Sequence, residues 1–203
     1  MKGGEDMVEN SCRLIVNRMI DNEIINSNEF DIYVYNLQII VESLIIHVLL
    51  FVFAALIGHL VDLLLFMITF DWIRQFSSGY HCKTTGGCIA LSFAMCAAIF
   101  LLEPIAMKIW AICQGGLIIS TIFIIWIGAI NHPNMGWSSQ ELSNAKRNSR
   151  IIIVFFASLI LLLSLLNVDE TYIYYLGMGI NACAVSMMVE KIKVKGGSGN
   201  EEF

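Results

Sequence analysis

From Tyr35 to Phe70 the chain is apolar almost without interruption. A helix needs about 20 residues to cross the hydrocarbon core of a bilayer. This run is therefore too long for one crossing and too apolar to stay in water. It breaks most naturally at Gly58-His59, where a tight hairpin would divide it into a span near 37–57 and a second near 60–76. Further apolar blocks follow at about 87–102, halted by Glu103-Pro104, and at about 106–129. The polar segment "NHPNMGWSSQELSNAKRNSR" comes next, then blocks at about 150–166 and 172–190 separated by "NVDET". The expected fold class is all-α: a polytopic membrane protein of six transmembrane helices. Composition agrees, with 57% hydrophobic and 14% charged residues, where soluble domains carry about 25% charged.

Residues 1–35 contain no apolar core of the signal-peptide kind, so the first span is expected to remain in the mature chain. Within "MVENSCRLIVNRMI", helical spacing gathers Val8, Cys12, Ile15, Met19 and Ile20 on one side, with Glu9, Arg13, Asn17 and Arg18 on the other. This is an amphipathic helix, either lying in the membrane interface or capping the bundle from the aqueous side. Residues 1–34 thus form an amphipathic interfacial segment and 35–195 the six-span domain. Residues 196–203, "GGSGNEEF", read as a flexible linker with a short acidic tag.

The net charge of −5 says little, but the placement of basic residues says more. With six spans and both termini in the cytoplasm, the inside segments hold Lys2, Arg13, Arg18, Arg74, Lys83, Lys146, Arg147, Arg150, Lys191, Lys193 and Lys195, leaving only Lys108 outside. That is a strong positive-inside bias. It predicts a multi-pass protein of the cell membrane in which the connection between spans two and three faces the cytoplasm. Cys12, Cys82 and Cys88 are then expected as free thiols. Cys96, Cys113 and Cys183 lie within apolar segments and read as small packing residues.

That connection, "FSSGYHCKTTGGC" (76–88), carries the chemistry. On one continuous helix His81 and Cys88 would be about 10 Å apart along the axis, so any pairing requires the chain to fold back. Gly79, Gly86 and Gly87 permit this, and Thr84 or Thr85 is suited to cap the next helix. Cys88 then falls in the first turn, where unpaired N–H groups and the helix dipole favour a thiolate. An adjacent His81 would complete a Cys–His nucleophile pair, and the same N–H groups, that of Cys88 included, would receive an oxyanion. Two other readings remain at this point: unrelated loop residues, or His81, Cys82 and Cys88 as three ligands of a metal.

Arg74, Gly79, His81 and Cys88, spaced in this way between the second and third of six spans, resemble the AgrB family of membrane cysteine endopeptidases of Gram-positive quorum sensing. The close match covers about residues 71–92, and the layout match most of the chain. The resemblance implies an AgrD-type precursor peptide as substrate. Cys88 would attack the bond before the peptide's C-terminal tail, and His81 would take the thiol proton and pass it to the leaving amine. A Cys or Ser within the precursor would then attack the resulting thioester and close a cyclic autoinducing peptide. This step needs neither ATP nor a cofactor. The resemblance also implies a homodimer, with membrane lipids as further partners and no nucleic acid.

Arg74 serves either as a positive-inside anchor or as a hold for a substrate carboxylate. Asp71 either pairs with Arg74 or orients His81. Gly79 and Gly87 are supporting backbone residues. Glu42, His47, His59 and Asp62 are interior or interfacial polar residues. Gly115-Gly116 and "GMG" at 177–179 are expected to permit close helix packing. Trp110, Trp126 and Trp137 read as core or interface aromatics, and His132-Pro133 as a turn. Lys146, Arg147 and Arg150 set topology, bind anionic lipid or meet an acidic peptide segment. The layout alone also suits a non-enzymatic peptide transporter or a sensor subunit; the enzyme is favoured because only it gives the His–Cys loop a chemical purpose.

Overall fold

The computed structural model describes residues 5–80, 82, 84–131 and 137–197. His81, Lys83, the His132-Pro133 turn and residues 198–203 lie outside the described residues. Among the described residues the secondary structure is helical throughout: α1 Glu5–Asp21, α2 Phe30–Ile57, α3 Leu60–Ser77, α4 Thr85–Lys108, α5 Trp110–Ile127, α6 Ser139–Leu165 and α7 Glu170–Gly197, with a 3-10 turn at Ser27–Glu29 before α2.

The helix ends follow from local chemistry. Gly58 closes α2 in the left-handed conformation, with φ 80°, and the chain reverses into α3 as the Gly58-His59 break anticipates. The polar stretch before the fifth span is not all loop. Ser138 Oγ accepts from the Glu141 N–H at 3.3 Å, and the Glu141 carboxylate accepts from the Ser138 N–H at 2.8 Å. This capping box starts α6 at Ser139, some way before its apolar part. Glu103-Pro104 does not end α4, which runs on to Lys108. A proline removes one ladder donor, and so near the helix end the loss is absorbed.

Among the described residues, five segments suffice by length and composition to cross a membrane: Ser27–Ile57, Thr85–Lys108, Trp110–Ile127, Ser139–Leu165 and Glu170–Lys193. Besides the amphipathic α1, the helix left out is α3, which carries Asp62, Asp71 and Arg74. The outward faces are apolar, with Leu56 81% and Trp126 72% exposed. Water would penalise such surfaces and hydrocarbon does not.

The most enclosed helix is α7, packed against α3, α4, α5 and α6. Its Ile180, Cys183 and Met187 join Ile73, Ile124 and Phe156 in one apolar cluster. Tyr174 and Tyr175 join Leu63, Phe66 and Cys96 in another. Gly179 is what brings α7 onto α3, since a Cβ there would stand 2.8 Å from the Phe66 carbonyl oxygen and 2.9 Å from the Phe70 nitrogen. Gly177 has only ordinary contact space, and at Gly115 and Gly116 an added Cβ would meet nothing within 4 Å. The close-packing role expected of all these glycines thus falls to Gly179 alone among them.

The first helix, α1, packs its Cys12 and Val16 against Ile25 in the turn that follows it and Val34 near the start of α2. The buried side therefore runs through Val16, and Ile15, assigned by spacing to the apolar side, is exposed together with Leu14.

Candidate active site

The last turn of α3 is tied to the connection that follows it. Arg74 Nη1 donates to Ser186 Oγ at 2.7 Å and Nη2 to the Tyr80 carbonyl at 2.6 Å. The guanidinium carbon lies 5.5 Å from the centre of the Phe70 ring, a distance at which cation and ring attract. The Tyr80 N–H points to Ser186, 3.0 Å from Oγ and 3.3 Å from the carbonyl oxygen. Gly79 fits between: a Cβ there would come within 2.6 Å of Ser186 Oγ and 3.0 Å of Arg74 Nη1. Ser78, with φ 60°, makes the sharp turn off α3 while its N–H bonds the Arg74 carbonyl at 3.0 Å. The connection is thereby fixed up to Tyr80, the residue before His81. The Lys193 ammonium sits 5.1 Å from the centre of the Tyr80 ring. The Tyr80 hydroxyl is pushed above its usual range, first by the neighbouring Cys82 and then by desolvation.

The second half of the motif starts α4. Thr84 caps it, accepting the Gly87 N–H on its hydroxyl oxygen at 3.1 Å. Cys88 lies in the first turn, only 8% exposed, and all six cysteines are free. The N–H of Cys88 itself is already bonded to the Thr84 carbonyl at 3.1 Å. It is therefore not available to an oxyanion, contrary to the sequence expectation. Among the described residues, the first-turn amides that this capping does not engage are those of Thr85 and Gly86. Gly87 has a steric reason: a Cβ there would meet Thr84 Oγ1 at 2.9 Å and Cys82 Cβ at 3.2 Å. The Thr85 hydroxyl donates to Glu42 Oε1 at 2.6 Å, and Gln38 Nε2 donates to the same oxygen at 2.8 Å. The start of the cysteine helix is thus bolted to α2.

Cys88 opens onto a cavity of about 540 Å³ enclosed by α2, α3, α4 and α7. Its walls are mostly apolar, with Phe66, Met95 and Val189 among them. Polar and ionisable groups interrupt them: Glu42, His47, Asp71, Arg74 and Ser186 line the cavity with Cys82 and Cys88. Asp71 meets His47, whose Nε2 is 2.9 Å from Asp71 Oδ2. His47 Nδ1 is 2.6 Å from the Ser43 carbonyl, an acceptor only, so Nδ1 carries a proton. A second proton lies between Nε2 and the carboxylate. Asp71 thus takes a partner on α2 that neither sequence reading supplied.

A cysteine on the first turn of a helix, an adjoining loop held rigid as far as the preceding residue of a histidine, and a partly open, mostly apolar cavity beside them form the frame of the motif. A family model described as Accessory gene regulator B matches residues 12–189. The chain belongs to the AgrB family. No curated protein and no solved structure matches it.

Membership gives this AgrB chain a role in agr quorum-sensing peptide processing, with an AgrD-type peptide as the substrate the family implies. Of the residues singled out by sequence, Asp71, Arg74 and Cys88 line the chamber, Gly79 packs against Arg74 and Ser186 and Gly87 against Thr84 and Cys82; the fourth motif residue, His81, lies outside the described residues. Three contributors were missed or left unpaired. Glu42 and His47 gave a signal, because ionisable residues inside apolar spans usually face a protein interior, but spacing did not reveal their partners. Ser186 gave none: a lone serine in a membrane helix commonly bonds its own backbone.

Proposed function

We propose that this AgrB-family protein is a membrane-embedded cysteine endopeptidase that removes the C-terminal tail of an AgrD-type precursor and promotes macrocyclisation of the remainder. Cys88 sulfur attacks the carbonyl carbon of the scissile bond. His81 takes the thiol proton and returns it to the departing amine, leaving the precursor as a thioester on Cys88. A thiol or hydroxyl within the precursor attacks that thioester, forms the ring and restores the Cys88 thiol. Arg74 acts on the protein's own loop: its two described donors hold Ser186 and Tyr80. The Thr85 and Gly86 amides receive the oxyanion.

The observation that carries this reading is the position of Cys88, in the first turn of α4 and on the wall of the chamber. The chamber suits a peptide's apolar side chains, and its size lies within the usual range for a small-ligand site. We take α3 as a sixth crossing, because Asp71 and Arg74 turn to the cavity and so avoid lipid. Both termini and the active site are then cytoplasmic by the distribution of basic residues. A homodimer is part of the same proposal.

The test is cleavage in lipid vesicles of candidate AgrD-type precursor peptides, with products weighed by mass spectrometry. The wild-type protein should give a released tail and a cyclic product lighter by one water than the linear cleaved peptide. Cys88→Ala and His81→Ala should give neither. Full cleavage by Cys88→Ala would end the proposal.

A further inference from the structure

Ser186 lies on α7, more than a hundred positions from the motif, yet it meets Arg74, Gly79 and Tyr80, the residues that set the course of the loop into His81. Its Oγ accepts from Arg74 Nη1 at 2.7 Å and from the Tyr80 N–H at 3.0 Å. Its carbonyl oxygen is a second, longer acceptor for the Tyr80 N–H, at 3.3 Å. The same Oγ is the atom that a Cβ at Gly79 would strike, at 2.6 Å. A cation, a glycine and a backbone N–H thus converge on one hydroxyl.

We propose that Ser186 is a positioning residue for His81, acting as the fixed post against which Arg74, Gly79 and Tyr80 set the loop. The proposal rests on the reading of His81 as the base for Cys88. The physical case has three parts. Ser78 leaves α3 in a left-handed conformation unfavourable to a non-glycine residue, so the loop needs an external hold to keep this course. The hold is on α7, the most enclosed helix, and so cannot drift with the loop. The requirement for glycine at position 79 also acquires its cause: the backbone must pass close enough to α7 for Tyr80 to reach the hydroxyl. A side chain that fixes a catalytic group in this way changes the rate steeply, since a misplacement of about 1 Å can cost about 100-fold.

Alanine at 186 removes the hydroxyl acceptor and nothing else of size. Ser186→Ala should lower kcat for the AgrD-type precursor by about 10- to 100-fold with little change in KM. Ser186→Cys, a near-isosteric but weaker acceptor, should fall between alanine and wild type. Gly79→Ala should be equally damaging. The double variant Gly79→Ala/Ser186→Ala should be no worse than the poorer single variant, because removing Oγ removes the closest approach and frees the Arg74 side chain, the other neighbour at 3.0 Å, to give way. Hydrogen exchange without substrate supplies a separate readout: the Tyr80 amide should exchange faster in Ser186→Ala, with the melting temperature nearly unchanged. A wild-type kcat in Ser186→Ala, alongside an inert Cys88→Ala, would overturn the positioning role and leave the endopeptidase reading intact. Unchanged Tyr80 exchange would mean that the retained Ser186 carbonyl suffices to hold the amide, and would overturn the anchoring role of the hydroxyl whatever the cleavage assay gives. Cleavage surviving in Cys88→Ala would instead remove the enzyme reading on which His81 positioning depends.

Discussion

His47 Nε2 stands 2.9 Å from Asp71 Oδ2, and this contact joins α2 to α3 on the wall of the Cys88 chamber. The Ser43 carbonyl fixes the opposite ring nitrogen as a donor, so the pair holds one proton between a nitrogen and a carboxylate. Both side chains are partly exposed, and the bond's strength is correspondingly limited.

The expected outcome for this pair is non-additivity. His47→Ala and Asp71→Ala should each destabilise the bundle, and the double variant should fall short of their sum by about 1 kcal/mol. Denaturant or thermal unfolding in mild detergent gives the cycle. Strict additivity would show that the contact carries no coupling.

Two neighbouring glycines should respond in opposite ways. At Gly86 an added Cβ meets nothing within 4 Å, whereas at Gly87 it strikes Thr84 Oγ1 at 2.9 Å and Cys82 Cβ at 3.2 Å. Gly86→Ala should keep or raise stability, by up to about 1 kcal/mol, because alanine is the better helix former. Gly87→Ala should lose about 1–3 kcal/mol through overpacking and a displaced cap. Cleavage of the precursor should follow the same order. Equal behaviour of the two variants would mean that the cap geometry at Thr84 is wrong.

The helices were legible in the sequence wherever apolar length decided the matter. The reversal at Gly58 was readable because the run from Tyr35 to Phe70 exceeds one crossing, and glycine is the residue that ends a helix left-handed. Helix ends in polar sequence were harder. The capping box at Ser138 and Glu141 extends α6 into a stretch whose composition reads as loop, and Pro104 is tolerated near the end of α4. In the site, the motif named Arg74, Gly79 and Cys88 because their spacing is local. Contacts such as Arg74 to Ser186, or Thr85 to Glu42, depend on how separate helices meet, and no periodicity within one helix encodes that. The glycine pairs show the same limit: Gly179 and Gly115 look alike in sequence, and only the approach of α3 separates them.

Asp169 gives a pH dependence with a definite sign. Its Oδ1 accepts the Thr171 N–H at 2.8 Å at the start of α7, and this bond holds its carboxyl below the usual range. A carboxyl depressed in the folded state adds stability above its unfolded pKa, and the contribution fades as pH falls through the folded value. Asp169→Asn should therefore be less stable than wild type near neutral pH, and the gap should narrow as the solution is acidified below the ordinary aspartate range. Melting temperatures measured from pH 7 down to pH 3 would reveal it. A gap that stays constant across this range would show that the cap is not electrostatic.

The cysteines permit a test of the chamber that needs no substrate. Cys82 and Cys88 both line it, whereas Cys12, Cys96 and Cys183 are each 1% exposed and packed within apolar clusters. Burial also pushes the Cys12 thiol up, away from the reactive thiolate. Cys183 is further committed, donating to the Phe70 carbonyl at 3.2 Å. A small alkylating reagent should therefore modify Cys82 and Cys88 in the folded protein and reach the other three only after unfolding. Peptide mass mapping against time gives the order. Because Cys88 itself is only 8% exposed, a bulky maleimide should separate the two chamber thiols, labelling Cys82 ahead of Cys88, while the small reagent reaches both. Modification of Cys96 or Cys183 as fast as Cys88 by the small reagent would mean that the chamber does not open at the sulfur on which the proposed chemistry depends.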